Sequence, residues 1–127
     1  SFIMPSGFIN VIAWKKAHDF VLAVYRVTKH YPQYERHGLW SQFTRAAVSI
    51  PANIAEGYKR LSKQEKLRFF NIAQSSLEEC RYYIILSYDL GYINKEETQM
   101  LNSQIERESW YINSYVEGVI KNNGIKD

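Results

Sequence analysis

The chain has little cysteine, proline or glycine, and it has no long apolar run. Its 127 residues include one cysteine, three prolines and six glycines. The single cysteine, Cys80, cannot form an internal disulfide, which fits a reducing, cytoplasmic setting. No run of about 18 apolar residues is present, and no charged-then-apolar leader precedes the first helical segment. We therefore expect a folded cytoplasmic protein that does not enter a membrane.

Motifs for catalysis and for metal binding are also missing. His18, His30 and His37 all lie in the first third of the chain, and no glutamate has a histidine three residues later, as a di-metal helical bundle requires. There is no nucleophile elbow and no glycine-rich phosphate loop. The adjacent His18 and Asp19 would point about 100° apart on a helix, and Cys80 lies on an apolar stripe. We predict no enzyme activity, no metal and no other cofactor.

The composition instead indicates one folded helical domain over residues 1–127. Apolar residues make up 46% of the chain and charged residues 23%, which is typical of a globular protein. Apolar positions recur three and four residues apart, the spacing of amphipathic helices. No segment alternates as a strand would. The spacing predicts four helices, at about residues 11–30, 39–56, 63–90 and 95–122.

Helix-end signals support these limits. Ser62 with Glu65, and Asn94 with Glu97, have the spacing of capping boxes at the starts of the third and fourth helices. Gly57 is placed to end the second helix. Because the links are short, each helix must reverse direction relative to the one before it. The sequence therefore predicts an all-α, antiparallel up-down-up-down four-helix bundle.

The second helix contains an unusual stretch, SIPANIAEG. Pro51 removes a backbone donor and crowds the carbonyl of Ala47, which predicts a kink at Pro51. Ser49 or Asn53 is expected to satisfy carbonyls of the preceding turn. A helical wheel also places a polar ribbon beside the core stripe, consisting of Arg45, Ser49, Asn53 and Glu56. Two interpretations remain open: small residues allow a kinked helix to pack closely, or the kink directs the ribbon toward a partner.

Charge is distributed unevenly along the chain, whose net charge is +3. Residues 1–57 carry +3, residues 58–69 carry +4, and residues 70–127 carry −4. Such asymmetry can steer an anionic partner, can pair subunits head to tail, or can reflect solvated faces alone. Cations near a helix N-terminus oppose its dipole, and this cost favours a functional role for them. The basic cluster across the second connection comprises Lys59, Arg60, Lys63 and Lys66.

Aromatic residues exceed what a narrow bundle core needs, with ten Tyr, six Phe and three Trp. Some are therefore expected at contacts between subunits. Internal packing and an interface are equally compatible with the four aromatics Tyr82, Tyr83, Trp110 and Tyr111.

These segments resemble a known family. The matching stretches are AWKKAH from Ala13, RAAVSIPANIAEGYKR ending at Arg60, FFNIAQSSLEE, and LGYI ending at Ile93. They resemble the small four-helix-bundle proteins encoded in intervening sequences of bacterial 23S ribosomal RNA genes, a ribosomal-protein-like family. The chain is also similar to the accessory variability protein of diversity-generating retroelements, a basic pentameric bundle.

The resemblance implies a homo-oligomeric ring, with five subunits expected, that binds RNA or DNA. By analogy the candidate nucleic-acid contacts are Arg45, Lys59, Arg60, Lys63 and Lys66. One departure is that Thr44 precedes Arg45 where the family commonly has two arginines, which lowers the available charge. The leading hypothesis is a non-enzymatic nucleic-acid-binding bundle. The alternative is an oligomeric scaffold or adaptor that recognises a protein partner.

Overall fold

The structure, a computed structural model, describes residues 6–122. Its helices are α1 (Ser6–Thr28), α2 (Leu39–Lys59), α3 (Lys63–Asp89) and α4 (Lys95–Lys121), with a 3₁₀ turn at Gln33–Glu35. This part of the chain contains no strand. Within the described residues each long helix packs closely on two others in the cyclic order α1, α2, α3, α4, whereas no Cα atoms of diagonal helices lie within 8 Å of each other. The predicted all-α four-helix bundle is confirmed.

Contacts between neighbouring helices show how the chain runs. Lys63, at the start of α3, donates from Nζ to the carbonyl oxygen of Ile120, at the end of α4, over 2.8 Å. Farther along α3, Gln74 donates to Asn113, which lies earlier in α4. Residue numbers thus rise along α3 as they fall along α4. The same progression links α2 with α3, through the pairs Tyr58 with Lys66, Ser49 with Ser76, and Phe43 with Tyr83.

The four helices enclose a single core. Alanines that are almost fully buried on α1, α2 and α3, such as Ala17, Ala47 and Ala73, let the helix backbones approach closely. Large side chains fill the remaining space. The largest fully buried ones come from all four helices: Phe20, Phe43, Ile50, Ile54, Phe70, Ile84, Leu101, Ile105, Ile112 and Tyr115.

Gly57 has a different role from the predicted helix stop, because α2 continues to Lys59. Gly57 is buried where α3 crosses close to α2. A Cβ atom at this position would lie 3.1 Å from Phe69 Cβ and 3.3 Å from the carbonyl oxygen of Lys66. The glycine therefore permits close packing of two helices. Gly91, with a φ of 79°, adopts a left-handed turn just beyond α3.

The other helix limits differ from the prediction at a few places. α1 begins at Ser6, ahead of the predicted start at residue 11, and ends at Thr28, ahead of residue 30. Asn94 and Glu97 form the complete predicted capping box. At α3 the Ser62 hydroxyl accepts from the Glu65 amide. Residues 1–5 and 123–127 of the predicted domain lie outside the described residues.

The helix α2 runs unbroken through Pro51. The Asn53 side-chain amide donates to the Ser49 carbonyl oxygen over 2.8 Å and to the Ser49 hydroxyl over 3.0 Å. Asn53 thus satisfies the Ser49 carbonyl, which lies in the turn before the proline. The carbonyl that loses its backbone donor because of Pro51 is a different one, that of Ala47. The kink itself stays a prediction.

Candidate nucleic-acid interface

The connection between α2 and α3 carries the predicted basic cluster, and Lys66 is its most buried member. Its side chain is only 6% exposed, and its Nζ donates to the Tyr58 carbonyl oxygen over 2.6 Å. The same ammonium lies 5.2 Å above the Tyr58 ring. Carbonyls in the last turn of a helix have no partner within the helix, so Lys66 caps α2. This placement removes Lys66 from the predicted phosphate contacts.

Lys63 caps a second helix from the same turn of α3. Its hydrogen bond to Ile120 satisfies a carbonyl in the last turn of α4. The cost of placing cations at the start of α3 is therefore offset by capping of both neighbouring helices. That cost no longer favours a functional role by itself. Lys63 is nevertheless only partly buried, so its ammonium stays close to solvent.

Arg60 and Lys59 lie at the end of α2. Arg60 donates to a Glu56 carboxylate oxygen over 2.6 Å, and its guanidinium lies 4.6 Å above the Phe69 ring. Arg68 covers the same ring at 4.6 Å and pairs with Glu65 at 3.4 Å. Ion pairs this exposed contribute at most about 1 kcal/mol. A phosphate group can therefore replace either carboxylate at small cost.

Five cations are gathered at this end of the bundle, and we call this set the basic end. Lys121 joins it because the Lys63 to Ile120 bond brings the end of α4 to the start of α3. Three glutamates accompany the cations, namely Glu56, Glu65 and Glu117. The basic end thus keeps an excess of positive charge. Its members are Lys59, Arg60, Lys63, Arg68 and Lys121.

Arg45 does not belong to the basic end. It precedes Lys59 by 14 residues of one helix, a distance of about 21 Å along the axis. Its side chain is exposed and lines a shallow depression of about 270 Å³ together with Glu79 and Tyr83. The structure therefore separates Arg45 from the other predicted nucleic-acid contacts.

The polar ribbon on α2 divides into two parts. The Ser49 hydroxyl accepts a hydrogen bond from Ser76 of α3 over 2.8 Å and another from Asn53. Ser49 therefore links α2 to α3, and Asn53 bonds to Ser49 within α2. Arg45 and Glu56 are exposed, and Glu56 pairs with Arg60.

A groove between α1 and α2 opens beside the basic end. The sequence does not predict it, because the predicted first helix starts at residue 11 and so leaves out Asn10. The volume of the groove is about 440 Å³. Asn10 is 5% exposed, and its Nδ2 has no hydrogen-bond partner among residues 6–122. The Trp14 ring is stacked on the His18 ring, with centroids 5.4 Å apart. We call this site the α1–α2 groove; it is lined by Asn10, Val11, Trp14, Ala55, Tyr58 and Lys59.

The buried ionisable groups of the described chain include Glu108 and Cys80. Glu108 is 1% exposed, and neither carboxylate oxygen has a hydrogen-bond partner within the described chain. Desolvation raises its pKa to about 9, opposed in part by Lys16 of α1. Glu108 follows Ile105 by three residues and precedes Ile112 by four, which is the spacing of core positions on a helix. The core stripe predicted from the sequence nevertheless leaves Glu108 out. Burial likewise raises the pKa of the Cys80 thiol, which disfavours a thiolate nucleophile.

The four aromatics in question have different environments. Tyr83 packs on Phe43, with ring centroids 5.9 Å apart, and Tyr111 packs partly buried against the core. Tyr82 and Trp110 are exposed, at 56% and 63%. Tyr82 and Trp110 are therefore the more accessible pair.

Neither a metal-binding cluster nor a membrane-spanning helix is present in residues 6–122. No three His, Cys, Asp or Glu side chains in residues 6–122 are placed to hold a metal ion. No helix in that range has the length and apolar character to cross a membrane.

Fold and surface together define an all-α four-helix-bundle protein with one basic end. A family model described as "23S rRNA-intervening sequence protein" matches residues 10–114. The chain belongs to this family. It is also similar to a crystal structure of a protein with unknown function from the S23 ribosomal protein family of Bacteroides thetaiotaomicron. The identity is 21% and the TM-score 0.79, over 86% of this chain and 98% of that one. No curated protein matches the chain.

Proposed function

We propose that the protein is a non-enzymatic, homo-oligomeric bundle that binds RNA or another nucleic acid through its basic end. The observation that carries this proposal is the concentration of five cations, at least partly accessible, where α2 and α4 end and α3 begins. The family name refers to an intervening sequence of 23S rRNA, which makes RNA the first ligand to test. Arg45 is left as a separate, distant contact.

The basic end suits phosphate contacts better than base recognition. Lys59 and Lys121 are exposed and have no carboxylate partner within residues 6–122. Arg60 and Arg68 form exposed ion pairs with glutamate carboxylates, and a phosphate group can displace these carboxylates. Contacts of this kind position nucleic acid without reading its sequence, and they weaken as salt rises.

Titration with a labelled RNA tests the proposal. Lys66 is unsuitable as a probe because its substitution disturbs α2. The double variant Lys59→Gln/Lys121→Gln removes two exposed cations instead, and we expect it to bind RNA several-fold more weakly at about 50 mM salt. Lys95→Gln, at the opposite end of α4, is the matched control and should bind like the wild type. Absence of wild-type binding at this salt would contradict the proposal.

Self-association is the second part of the proposal, with a pentamer as the expected form. Tyr82 and Ile85 are one turn apart on α3 and each is 56% exposed, and Trp110 on α4 is 63% exposed. Exposed aromatic and large apolar side chains are typical of interfaces. Light scattering should give about five times the single-chain mass of 15.0 kDa. A monomeric mass at micromolar concentration would defeat this part.

A protein partner is the alternative function. The same exposed aromatics could form an adaptor surface, with the depression beside Arg45 as a polar contact. An oligomer that binds no RNA at low salt would favour this alternative.

A further inference from the structure

The floor of the α1–α2 groove contains a buried polar group without a partner. Asn10 is only 5% exposed, and its side-chain nitrogen Nδ2 makes no hydrogen bond within residues 6–122. A buried donor without an acceptor carries a desolvation penalty that a ligand acceptor can remove. If the side-chain amide of Asn10 is rotated by about 180°, its carbonyl oxygen, an acceptor, takes the position of the nitrogen. The groove therefore suits a ligand edge that combines donors and acceptors.

The walls of the groove are aromatic and held in position. The Trp14 ring is 41% exposed and lies nearly parallel to the His18 ring, with 6° between the planes. The Tyr58 ring is 38% exposed and contacts the Tyr115 ring and the Lys66 ammonium. Rings fixed by such contacts lose little freedom when a flat ligand stacks on them.

The groove also shares a residue with the basic end. Lys59 belongs to both, so a ligand in the groove would carry its negative charge toward the other cations of that end. The groove volume of about 440 Å³ lies within the range of roughly 300–1,000 Å³ that small-ligand sites show. An unpaired nucleobase has a flat face, a mixed hydrogen-bonding edge and an attached phosphate.

We propose that the α1–α2 groove binds one unpaired nucleobase, which stacks on Trp14 and bonds to Asn10 while its phosphate meets Lys59. This inference rests on the proposed function, because it extends nucleic-acid binding from the basic end into the groove. It makes the preferred ligand a single strand or a loop with unstacked bases, and not a continuous duplex.

The test compares two single-stranded ligands that differ only in their bases: a ten-nucleotide RNA and an abasic ribose-phosphate strand of equal length. We expect the wild type to prefer the RNA by roughly 5- to 100-fold, the usual effect of one stacked base. Trp14→Ala should lose this preference while its salt dependence stays unchanged. Trp110→Ala, which removes an exposed tryptophan elsewhere, is the matched control and should keep it.

Asn10→Ala gives an independent readout if Trp14→Ala folds poorly. It removes an orphaned buried amide, so its stability should stay equal or rise while its preference for the RNA falls. A purely structural role for Asn10 would lower stability and leave the preference intact, which would overturn the inference.

Three results separate the possible failures. If the wild type binds neither strand at low salt, the proposed function fails and the groove inference fails with it. If the wild type binds both strands equally, or if Trp14→Ala keeps the preference, only the groove inference is overturned. If Trp14→Ala lowers the oligomer mass in light scattering, the groove is a contact between copies and the inference is again overturned.

Discussion

Replacement of Glu108 by glutamine tests the most unusual feature of the core. Glu108 lies among the core positions of α4 with a carboxyl group that no described hydrogen bond satisfies. Its pKa rises from the ordinary 4.5 to about 9, mainly through desolvation, with Lys16 acting in the opposite direction. The folded protein therefore holds a proton on Glu108 at neutral pH, whereas the unfolded chain releases it.

The sign and size of the effect follow from proton linkage. Between pH 4.5 and about 9 the folded state binds one more proton than the unfolded state, so stability falls as pH rises. Each pH unit in this window costs about 1.4 kcal/mol. The cost relative to acid pH is about 3 kcal/mol at neutral pH and about 6 kcal/mol near the folded pKa. Glutamine is neutral in both states and avoids this cost.

Urea unfolding, monitored by the circular dichroism signal of the helices, measures the difference in the free energy of unfolding between Glu108→Gln and the wild type. We expect the variant to be more stable by about 3 kcal/mol at neutral pH, with an advantage that grows from about pH 5 to about pH 8. Glu106→Gln is the matched control, because Glu106 is exposed and paired with Arg81. Its effect should stay within about 1 kcal/mol. An advantage of Glu108→Gln that does not change with pH would refute the reasoning.

Three further stability predictions follow from the packing, each measured by the same unfolding assay. Lys66→Met should destabilise by about 2 kcal/mol, because it leaves the Tyr58 carbonyl without its cation; an unchanged stability would contradict the capping role. Gly57→Ala should destabilise by about 1 kcal/mol, since contact with Phe69 outweighs the better helix propensity; a more stable variant would show that α3 can move away. Asn94→Ala should lower the free energy of unfolding by about 1 kcal/mol, because it removes the capping box of α4.

Sequence periodicity and capping signals were enough to predict the four helices. Each core stripe repeats every three or four residues, and Asn94 with Glu97 forms the box that the spacing indicated. These are local signals, because they depend on residues within one or two turns. Gly57 shows their limit: its role depends on Phe69 and Lys66 of another helix, which the local pattern does not reveal.

The candidate site was less predictable for the same reason. The basic cluster could be read from the sequence, but the partners of Lys63 and Lys66 could not. Lys63 reaches a carbonyl 57 residues away, and Lys66 reaches the end of the preceding helix. The family resemblance groups Arg45 with the cluster, whereas the rise of the α2 helix places it far from Lys59. Tertiary contacts therefore decide which cations are available to a ligand.

The salt dependence of RNA binding tests the central claim most directly. For a labelled single-stranded RNA titrated between about 50 and 200 mM salt, the logarithm of the affinity should fall linearly with the logarithm of the salt concentration. Lys59→Gln/Lys121→Gln should reduce the slope by about 1.4, because each lost phosphate contact contributes about 0.7 for a single strand. Lys95→Gln should leave the slope unchanged. Equal slopes for the double variant and the wild type would contradict binding through the basic end.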